Sequence, residues 1–125
     1  MQPNETRTTL VVGASENPER YAYKAIIKLQ EHGFNVFAFG LKPGSVGNVP
    51  IQTTFPKEIE IDTVTLYVGP ERQTALITEI IALKPRRIIF NPGTENPDFV
   101  NRAQDAGIIT EIACTLVLLA SESYF

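Results

Sequence analysis

The loop from Gly13 to Pro18, with the sequence GASENP, carries the residues of this chain best suited to holding a phosphate. Gly13 permits close approach of the backbone because it has no side chain. The Ser15 hydroxyl and the Asn17 amide can each hydrogen-bond a phosphate oxygen, and both can equally cap a helix. The loop differs from the dinucleotide motif G-x-G-x-x-G, because Ser15 stands where the second glycine would be. The residues therefore fit a phosphate site or a capped helix start.

The residues that follow the second apolar segment, 35–39, indicate which kind of nucleotide a site there would bind. A site for NAD usually places Asp or Glu there, about 20 residues after the glycine motif, to bind the ribose hydroxyls. Residues 37–44 read FAFGLKPG and contain no acid, and Lys42 stands in that neighbourhood instead. A cation there suits a phosphate on the adenosine ribose, as in coenzyme A (CoA) or NADP. Lys42 is equally explained as an ordinary exposed lysine.

Further cations stand near the predicted helix starts. Arg20 and Lys24 are one helical turn apart and share a face, so they either reach a pyrophosphate or point into solvent. Arg72 follows Pro70 near the start of a second helix and has the same two explanations.

A stretch dense in turn residues, 91–97 (NPGTENP), follows a predicted strand. Its Asn91 and Gly93 either line a pocket or only make a tight connection from strand to helix. Cys114 also follows a predicted strand, so it can lie near a ligand bound at the strand ends. A free cysteine, however, is usually a small buried hydrophobe. His32 is the only histidine, so the sequence offers no zinc site.

The elements that must position these residues alternate between strands and helices. Strands are predicted at 8–13, 35–39, 63–68, 87–90 and 108–112, and helices at 19–32, 71–84 and 97–106. Segment 49–60 has room for a short extra strand, and 115–120 fits a helix or a strand. The alternation predicts an α/β protein, a Rossmann-like three-layer αβα sandwich with a parallel sheet. We expect five strands in the order 3-2-1-4-5.

Three of these helices are predicted to start with a capping residue followed by proline. The pairs are Asn17-Pro18, Gly69-Pro70 and Asn96-Pro97. In a parallel sheet these starts share the carboxyl edge, where ligands of open α/β sheets bind and helix N-termini favour anions. Well-capped helices alone also explain the pattern, because Glu19, Glu71 and Asp98 already complement the helix dipoles.

Composition narrows the class of protein. The 125 residues are 43% hydrophobic and 20% charged, which predicts one folded domain over residues 1–125. A net charge of -3 disfavours a general nucleic-acid binder, so a phosphorylated ligand must be held by local groups. No apolar run approaches the ~20 residues of a membrane span, and residues 1–7 lack the apolar core of a secretory signal. With a single cysteine, these features predict a cytoplasmic protein.

The stretch Val11 to Arg20 (VVGASENPER), then Lys42-Pro43, then Asn91 to Asn96 (NPGTEN), resembles the stand-alone CoA-binding domain family. That family is similar to the N-terminal CoA-binding domain of the succinyl-CoA synthetase α subunit. The resemblance spans about Thr8 to Leu119 and rests on the order and spacing of the motifs. It implies CoA or an acyl-CoA as the ligand.

The resemblance also implies site residues. Gly13, Ala14 and Ser15 would contact the CoA phosphates, and Lys42 would approach the adenosine end. The adenine pocket would be bordered by Tyr67, Val68, Gly69 and Pro70. The synthetases hold their phosphorylated histidine in a second domain and grasp nucleotide with another subunit. This chain has neither, so the resemblance implies CoA binding without catalysis on its own.

Other functions remain open from the residues alone. An NADP-linked oxidoreductase would need a nicotinamide pocket and a proton donor, and a thiol-based CoA carrier would use Cys114 in a mixed disulfide. An interaction scaffold with a vestigial pocket would bind no nucleotide. The apolar stretch Leu116 to Leu119 fits a homodimer or a contact with a partner subunit as well as it fits core packing.

Overall fold

A computed structural model describes residues 7–124. The strands are β1 (Thr8–Val12), β2 (Asn35–Phe39), β3 (Gly44–Val46), β4 (Val49–Gln52), β5 (Thr63–Leu66), β6 (Arg87–Phe90) and β7 (Ile109–Ile112). The helices are α1 (Tyr21–Glu31), α2 (Pro70–Gln73), α3 (Ile77–Ala82), α4 (Pro97–Asp105) and α5 (Thr115–Ala120). Residues 1–6, most of the segment without an apolar signal core, lie outside the described residues.

The strands form one sheet in the order β3-β4-β2-β1-β5-β6-β7. All neighbours pair in parallel except β3 and β4, which are antiparallel. Central β1 lies between β2 and β5, and its Leu10, Val11 and Val12 are fully buried. A continuous apolar run of this kind is typical of a strand that is covered on both faces. The prediction of an α/β protein is confirmed, and the sheet is parallel as predicted except at the β3–β4 pair.

Helices cover both faces of the sheet. On one face, α3 and α4 pack through Ile80 and Phe99. On the other face, α1 and α5 pack through Ile26 and Leu119. The layers are therefore helix, sheet and helix.

The predicted strand count and order are wrong. The expected order places segment 63–68 beyond β2, whereas β5 pairs directly with β1. The place beside β2 is taken by β4, which comes from segment 49–60, where the sequence has room for a short extra strand. Its apolar Val49 and Ile51 are buried, which fixes the face that turns inward. β3 then adds an antiparallel edge strand through a tight turn at Gly47, whose φ of 58° suits such a hairpin.

Two of the predicted helices begin or end elsewhere. Helix α1 begins at Tyr21, because Asn17 accepts from the Glu19 and Arg20 backbone N–H groups and so closes a turn before the helix. The predicted Asn17-Pro18 start is therefore wrong. Helix 71–84 is divided into α2 and α3 by a tight turn, in which the Leu76 N–H donates to the Gln73 carbonyl at 2.7 Å. The Gly69-Pro70 and Asn96-Pro97 starts are confirmed.

The C-terminal apolar stretch forms helix α5. Leu119 is buried, Leu116 and Leu118 are half-buried, and Val117 is 61% exposed. Most of the stretch therefore packs into the protein. No helix within residues 7–124 is long and apolar enough to cross a bilayer.

Candidate functional site

The loop after β1 is held against the ends of β2 and β5. The Gly13 and Ala14 N–H groups both donate to the Phe39 carbonyl at 2.9 Å. Gly13 has a φ of 99°, and a Cβ there would lie 2.9 Å from Val68 Cγ1 and 3.1 Å from the Tyr67 carbonyl carbon. Glycine is therefore required at this point by both conformation and space.

The hydrogen bonds of this loop determine which groups remain for a ligand. The N–H groups of Gly13 and Ala14 are already used. Within residues 7–124, no partner is found for the Ser15 and Glu16 N–H groups. Ser15 Oγ accepts from the Asn17 N–H at 3.1 Å, which leaves its own proton to donate. The donors available to an anion are therefore centred on Ser15 and Glu16.

Glu16 joins this loop to the edge hairpin, a contact that the sequence did not indicate. Its Oε2 accepts from the Ser45 N–H at 2.9 Å. Its carboxylate lies directly over Gly44, where a Cβ would come within 2.6 Å of either oxygen. A similar close contact joins Gly40 and Ala14, where a Cβ on Gly40 would lie 2.5 Å from the Ala14 carbonyl oxygen. The end of β2 and the loop after β1 thus meet backbone to backbone.

Four exposed cations lie on the elements that leave the carboxyl edge. They are Arg20, Lys24, Lys42 and Arg72. Lys24 Nζ lies 5.3 Å from the centre of the Tyr21 ring, a cation–π distance. None of the four forms an ion pair with any of the described residues. Their charge is therefore not neutralised within the part of the chain that the structure describes.

The arginines at the opposite edge are already paired. Arg86 Nε lies 2.9 Å from Asp62 Oδ1, and Arg87 Nη1 lies 2.9 Å from Glu111 Oε1. Burial alone would raise the pKa of the Asp62 carboxyl, but hydrogen bonds from Arg86 and Thr63 and the charge of Arg86 hold it below its ordinary value. Two open clefts at this edge are lined by these residues and by further charged residues, Arg7, Glu60 and Lys84. The charges of Arg86 and Arg87 are thus balanced by carboxylates of the protein itself.

The segment after β5 forms the middle of the carboxyl edge. Tyr67, Val68, Gly69 and Pro70 are all half-buried. The Tyr67 side chain packs on the face of α1 and α5, and Val68 packs on the opposite face. Gly69 is extended and precedes α2, which Pro70 begins.

The Tyr67 hydroxyl is an unusual group within this segment. Its oxygen is buried and meets no partner in hydrogen-bond geometry among the described atoms, although the hydroxyls of Thr65 and Thr115 lie beside it. Those two hydroxyls bond each other at 2.8 Å. Burial raises the pKa of the Tyr67 phenol well above its ordinary value. The raised pKa keeps the phenol in its neutral form at physiological pH.

Gln73 ties two of the edge loops together, and sequence reasoning missed it. Its side chain is fully buried, and its Nε2 donates to the Val68 carbonyl at 2.9 Å and to the Thr94 carbonyl at 2.8 Å. Its Oε1 accepts from Asn96 Nδ2 at 2.9 Å. The only sign of its burial in the sequence is its spacing, because Gln73 lies four residues before Ile77 and so shares its apolar helical face.

Asn91 likewise connects separate parts of the chain through its side chain, beneath the loop after β6. Its Nδ2 donates to Thr65 Oγ1 at 2.6 Å and to the Leu66 carbonyl at 2.8 Å, and its Oδ1 accepts from the Thr115 N–H at 2.8 Å. Both amide protons are thereby used inside the protein. Gly93 instead lies on the surface with a φ of 91°, and its N–H donates to Glu95 Oε1 at 2.8 Å. A ligand contact by either residue stays a prediction.

Cys114 lies between β7 and α5 and is half-buried. The strand end places its thiol at the same edge of the sheet as the loops described above. Its carbonyl accepts from the Leu118 N–H at 3.0 Å and so belongs to the first turn of α5.

A family model described as a CoA binding domain matches residues 7–120. The chain belongs to this CoA-binding domain family. The resemblance to this family is thereby confirmed.

Solved structures similar to this member of the CoA-binding domain family agree on the fold. A crystal structure of an uncharacterized protein is 42% identical, with a TM-score of 0.90 over 94% of this chain and 97% of the other. A hypothetical protein from Pyrococcus horikoshii is 24% identical, with a TM-score of 0.82 over 99% and 86% of the two chains. A protein from Thermus thermophilus is 21% identical, with a TM-score of 0.83 over 94% and 90%. No curated protein matches the chain.

Proposed function

We propose that this protein binds CoA, free or acylated, at the carboxyl edge of the sheet and performs no catalysis on its own. The observation that carries this proposal is the set of unsatisfied donors and cations at that edge, in a chain of the CoA-binding domain family. We further propose that residues 1–125 form one such domain, of Rossmann type, and that it works in the cytoplasm.

The pyrophosphate is assigned to the loop after β1. The N–H groups of Ser15 and Glu16 and the Ser15 hydroxyl are the donors left after the internal hydrogen bonds are counted. Arg20 and Lys24 begin the neighbouring helix and supply charge to the same ligand group. Such local groups allow a chain of net charge -3 to hold a polyanion.

The adenosine end is assigned to the side of the sheet where β2 ends. Lys42 is exposed there without an ion pair among the described residues, and the end of β2 supplies no carboxylate for ribose hydroxyls. The adenine is assigned to the segment from Tyr67 to Pro70, with Arg72 beyond it. The proposed site at the carboxyl edge also includes Asn17, Asn91 and Gly93. Asn91 contributes through the loop that it supports.

Calorimetric titration with CoA, and with NADPH as the comparator, tests this function. We expect saturable one-site binding of CoA that weakens in Lys42→Ala. The matched control is Lys28→Ala, which removes the same charge from the last turn of α1. Absence of CoA binding at millimolar ligand overturns the proposal, and tighter binding of NADPH favours an NADP-linked oxidoreductase.

A second candidate function is favoured by the position of Cys114 at the same edge. Its thiolate can attack CoA disulfide, forming a mixed disulfide with one CoA and releasing the other as thiolate. Mass spectrometry after incubation with CoA disulfide would detect the adduct, and Cys114→Ala should abolish it. An unmodified wild-type chain would exclude a thiol-based carrier, while leaving reversible CoA binding intact.

A further inference from the structure

The Glu16 carboxylate occupies a small cradle made by the start of the edge hairpin. Ser45 presents its backbone N–H at 2.9 Å from Oε2, and the carboxylate rests on the bare Cα of Gly44. Glu16 itself is exposed, and its side chain reaches this place from another loop, 29 residues away in sequence. The contact therefore brings an anion of the protein onto a backbone donor at the carboxyl edge.

The cradle has the chemistry of an anion site. A backbone N–H aimed outward and a glycine that leaves room above it are groups that commonly hold phosphates, and lysines often add positive charge at such sites. Lys42 lies three residues before Ser45 and carries no ion pair within residues 7–124. A carboxylate and a phosphate are both anions with acceptor oxygens, so the same cradle can accept either one.

We propose that Glu16 is a specificity-determining residue, because its carboxylate holds the place that a phosphate on the adenosine ribose takes in the complex. This inference rests on the proposed CoA site and names its adenosine-end subsite. The ligand phosphate displaces the carboxylate, accepts from the Ser45 N–H and lies over Gly44 beside Lys42. The affinity for a ribose phosphate is thus lowered by competition with the protein's own anion.

The surrounding backbone allows this exchange without a larger rearrangement. Gly13 and Ala14 are fixed by the Phe39 carbonyl, so the loop itself stays in place when the Glu16 side chain rotates away. One side-chain movement is therefore enough to vacate the place over Gly44.

Two variants distinguish this displacement from a purely structural role, in which the Glu16–Ser45 contact only holds the two loops together. Glu16→Ala empties the cradle, whereas Gly44→Ala fills it with a methyl group. The φ of Gly44 lies outside the left-handed region, and the atoms that this methyl group meets are the flexible end of Glu16, so the folded backbone accepts alanine. Glu19→Ala is the matched control, because Glu19 is an exposed acid three residues further along the chain.

The experiment is calorimetric titration of each variant with CoA and with 3′-dephospho-CoA, which lacks the ribose phosphate. We expect Glu16→Ala to bind CoA about threefold to tenfold more tightly, the range set by loss of one competing hydrogen bond. Gly44→Ala should bind CoA at least about threefold more weakly, since the methyl group excludes the phosphate. Binding of dephospho-CoA should change by less than about twofold in both variants, as should binding of either ligand to Glu19→Ala.

Opposite changes in the two variants, confined to CoA, are the signature of displacement. If Glu16 only clasps the loops, both variants weaken both ligands, and the inference is overturned. Equal affinity of the wild type for CoA and dephospho-CoA, unchanged in Glu16→Ala, overturns it too but leaves the CoA site standing. Failure of the wild type to bind either ligand overturns the proposed function itself. If Gly44→Ala unfolds below the assay temperature, the affinities of Glu16→Ala and Glu19→Ala for the same two ligands still test the inference.

Discussion

Polar side chains beneath the ligand edge differ in how well their hydrogen bonds are satisfied. Asn91 is 2% exposed and uses both amide protons and its oxygen within the protein. The Tyr67 hydroxyl, buried close by, has no partner in suitable geometry among the described atoms. An unsatisfied buried hydroxyl costs free energy, whereas the ring that carries it gains from packing. The oxygen of Tyr67 is therefore a liability for stability.

Tyr67→Phe should raise the free energy of unfolding by about 1 kcal/mol, because it removes a desolvated hydroxyl and keeps the ring. Urea unfolding of the two proteins measures this difference, and CoA titration should give equal affinities because the hydroxyl does not reach the surface. A less stable variant would mean that the hydroxyl bonds Thr65, Thr115 or an internal water.

Sequence reasoning found the polar residues of this edge but could not assign all of their tasks. Ser15 and Asn91 are both polar residues that follow an apolar strand, and the sequence treats them alike. Only the fold shows that Asn91 faces Thr65 and Thr115, which lie 26 and 24 residues away. Glu16 was missed as a contact for the same reason, since its partner lies in a hairpin that local patterns did not predict.

Among the elements, the break between α2 and α3 is the clearest departure from local expectation. Apolar spacing over 71–84 predicts one helix, yet Gln73 turns inward to bond the loops after β5 and β6. This contact depends on the position of Thr94, so no local pattern contains it. The short α2 is thus a support for the loops of the ligand edge.

Gln73→Leu should lower the free energy of unfolding by about 2 kcal/mol, because the Val68 and Thr94 carbonyls lose a buried donor. Binding of CoA should weaken as well, since the two loops lose their connection. Thermal unfolding and titration of the same sample measure both effects. A variant with unchanged stability would contradict the assigned role of Gln73.

At the opposite edge, the Asp62–Arg86 pair connects the starts of β5 and β6. The lowered pKa of Asp62 stabilises the fold above the ordinary carboxyl pKa, and this stabilisation is lost as the pH falls through the lowered value. Asp62→Asn should therefore lose about 0.5 kcal/mol at pH 7, the usual size for a partly exposed pair. The difference from wild type should narrow below about pH 4. Chemical unfolding at several pH values measures it, and a constant difference would contradict this account.

For the whole molecule, the sequence predicts the class of fold better than the order of the sheet. Alternating strand and helix patterns identify an α/β protein, because each pattern is local. Strand order depends on which edges meet, and the hairpin of β3 and β4 occupies the edge of β2 that the prediction gave to segment 63–68. Prolines and glycines in residues 40–50 make that hairpin look like a loop.

The distribution of charge over the molecule predicts how salt affects binding. If the net charge of -3 dominated, added salt would screen repulsion from a polyanionic ligand and strengthen binding. Local unpaired cations at the carboxyl edge predict the opposite sign. We expect CoA affinity to fall roughly threefold or more between about 0.05 M and about 0.5 M sodium chloride. Titration across this range measures the sign, and tighter binding in salt would contradict the local site.

The loops of the carboxyl edge come from distant parts of the chain, near residues 13–16, 42–45, 67–70 and 91–93. They meet only when β2, β1, β5 and β6 are paired. A ligand that bridges them recognises the native state alone, so at a hundredfold excess over its Kd it adds about 2.7 kcal/mol to the free energy of unfolding. Cells rich in that ligand would retain more of the folded protein and would tolerate core substitutions that unfold the empty form.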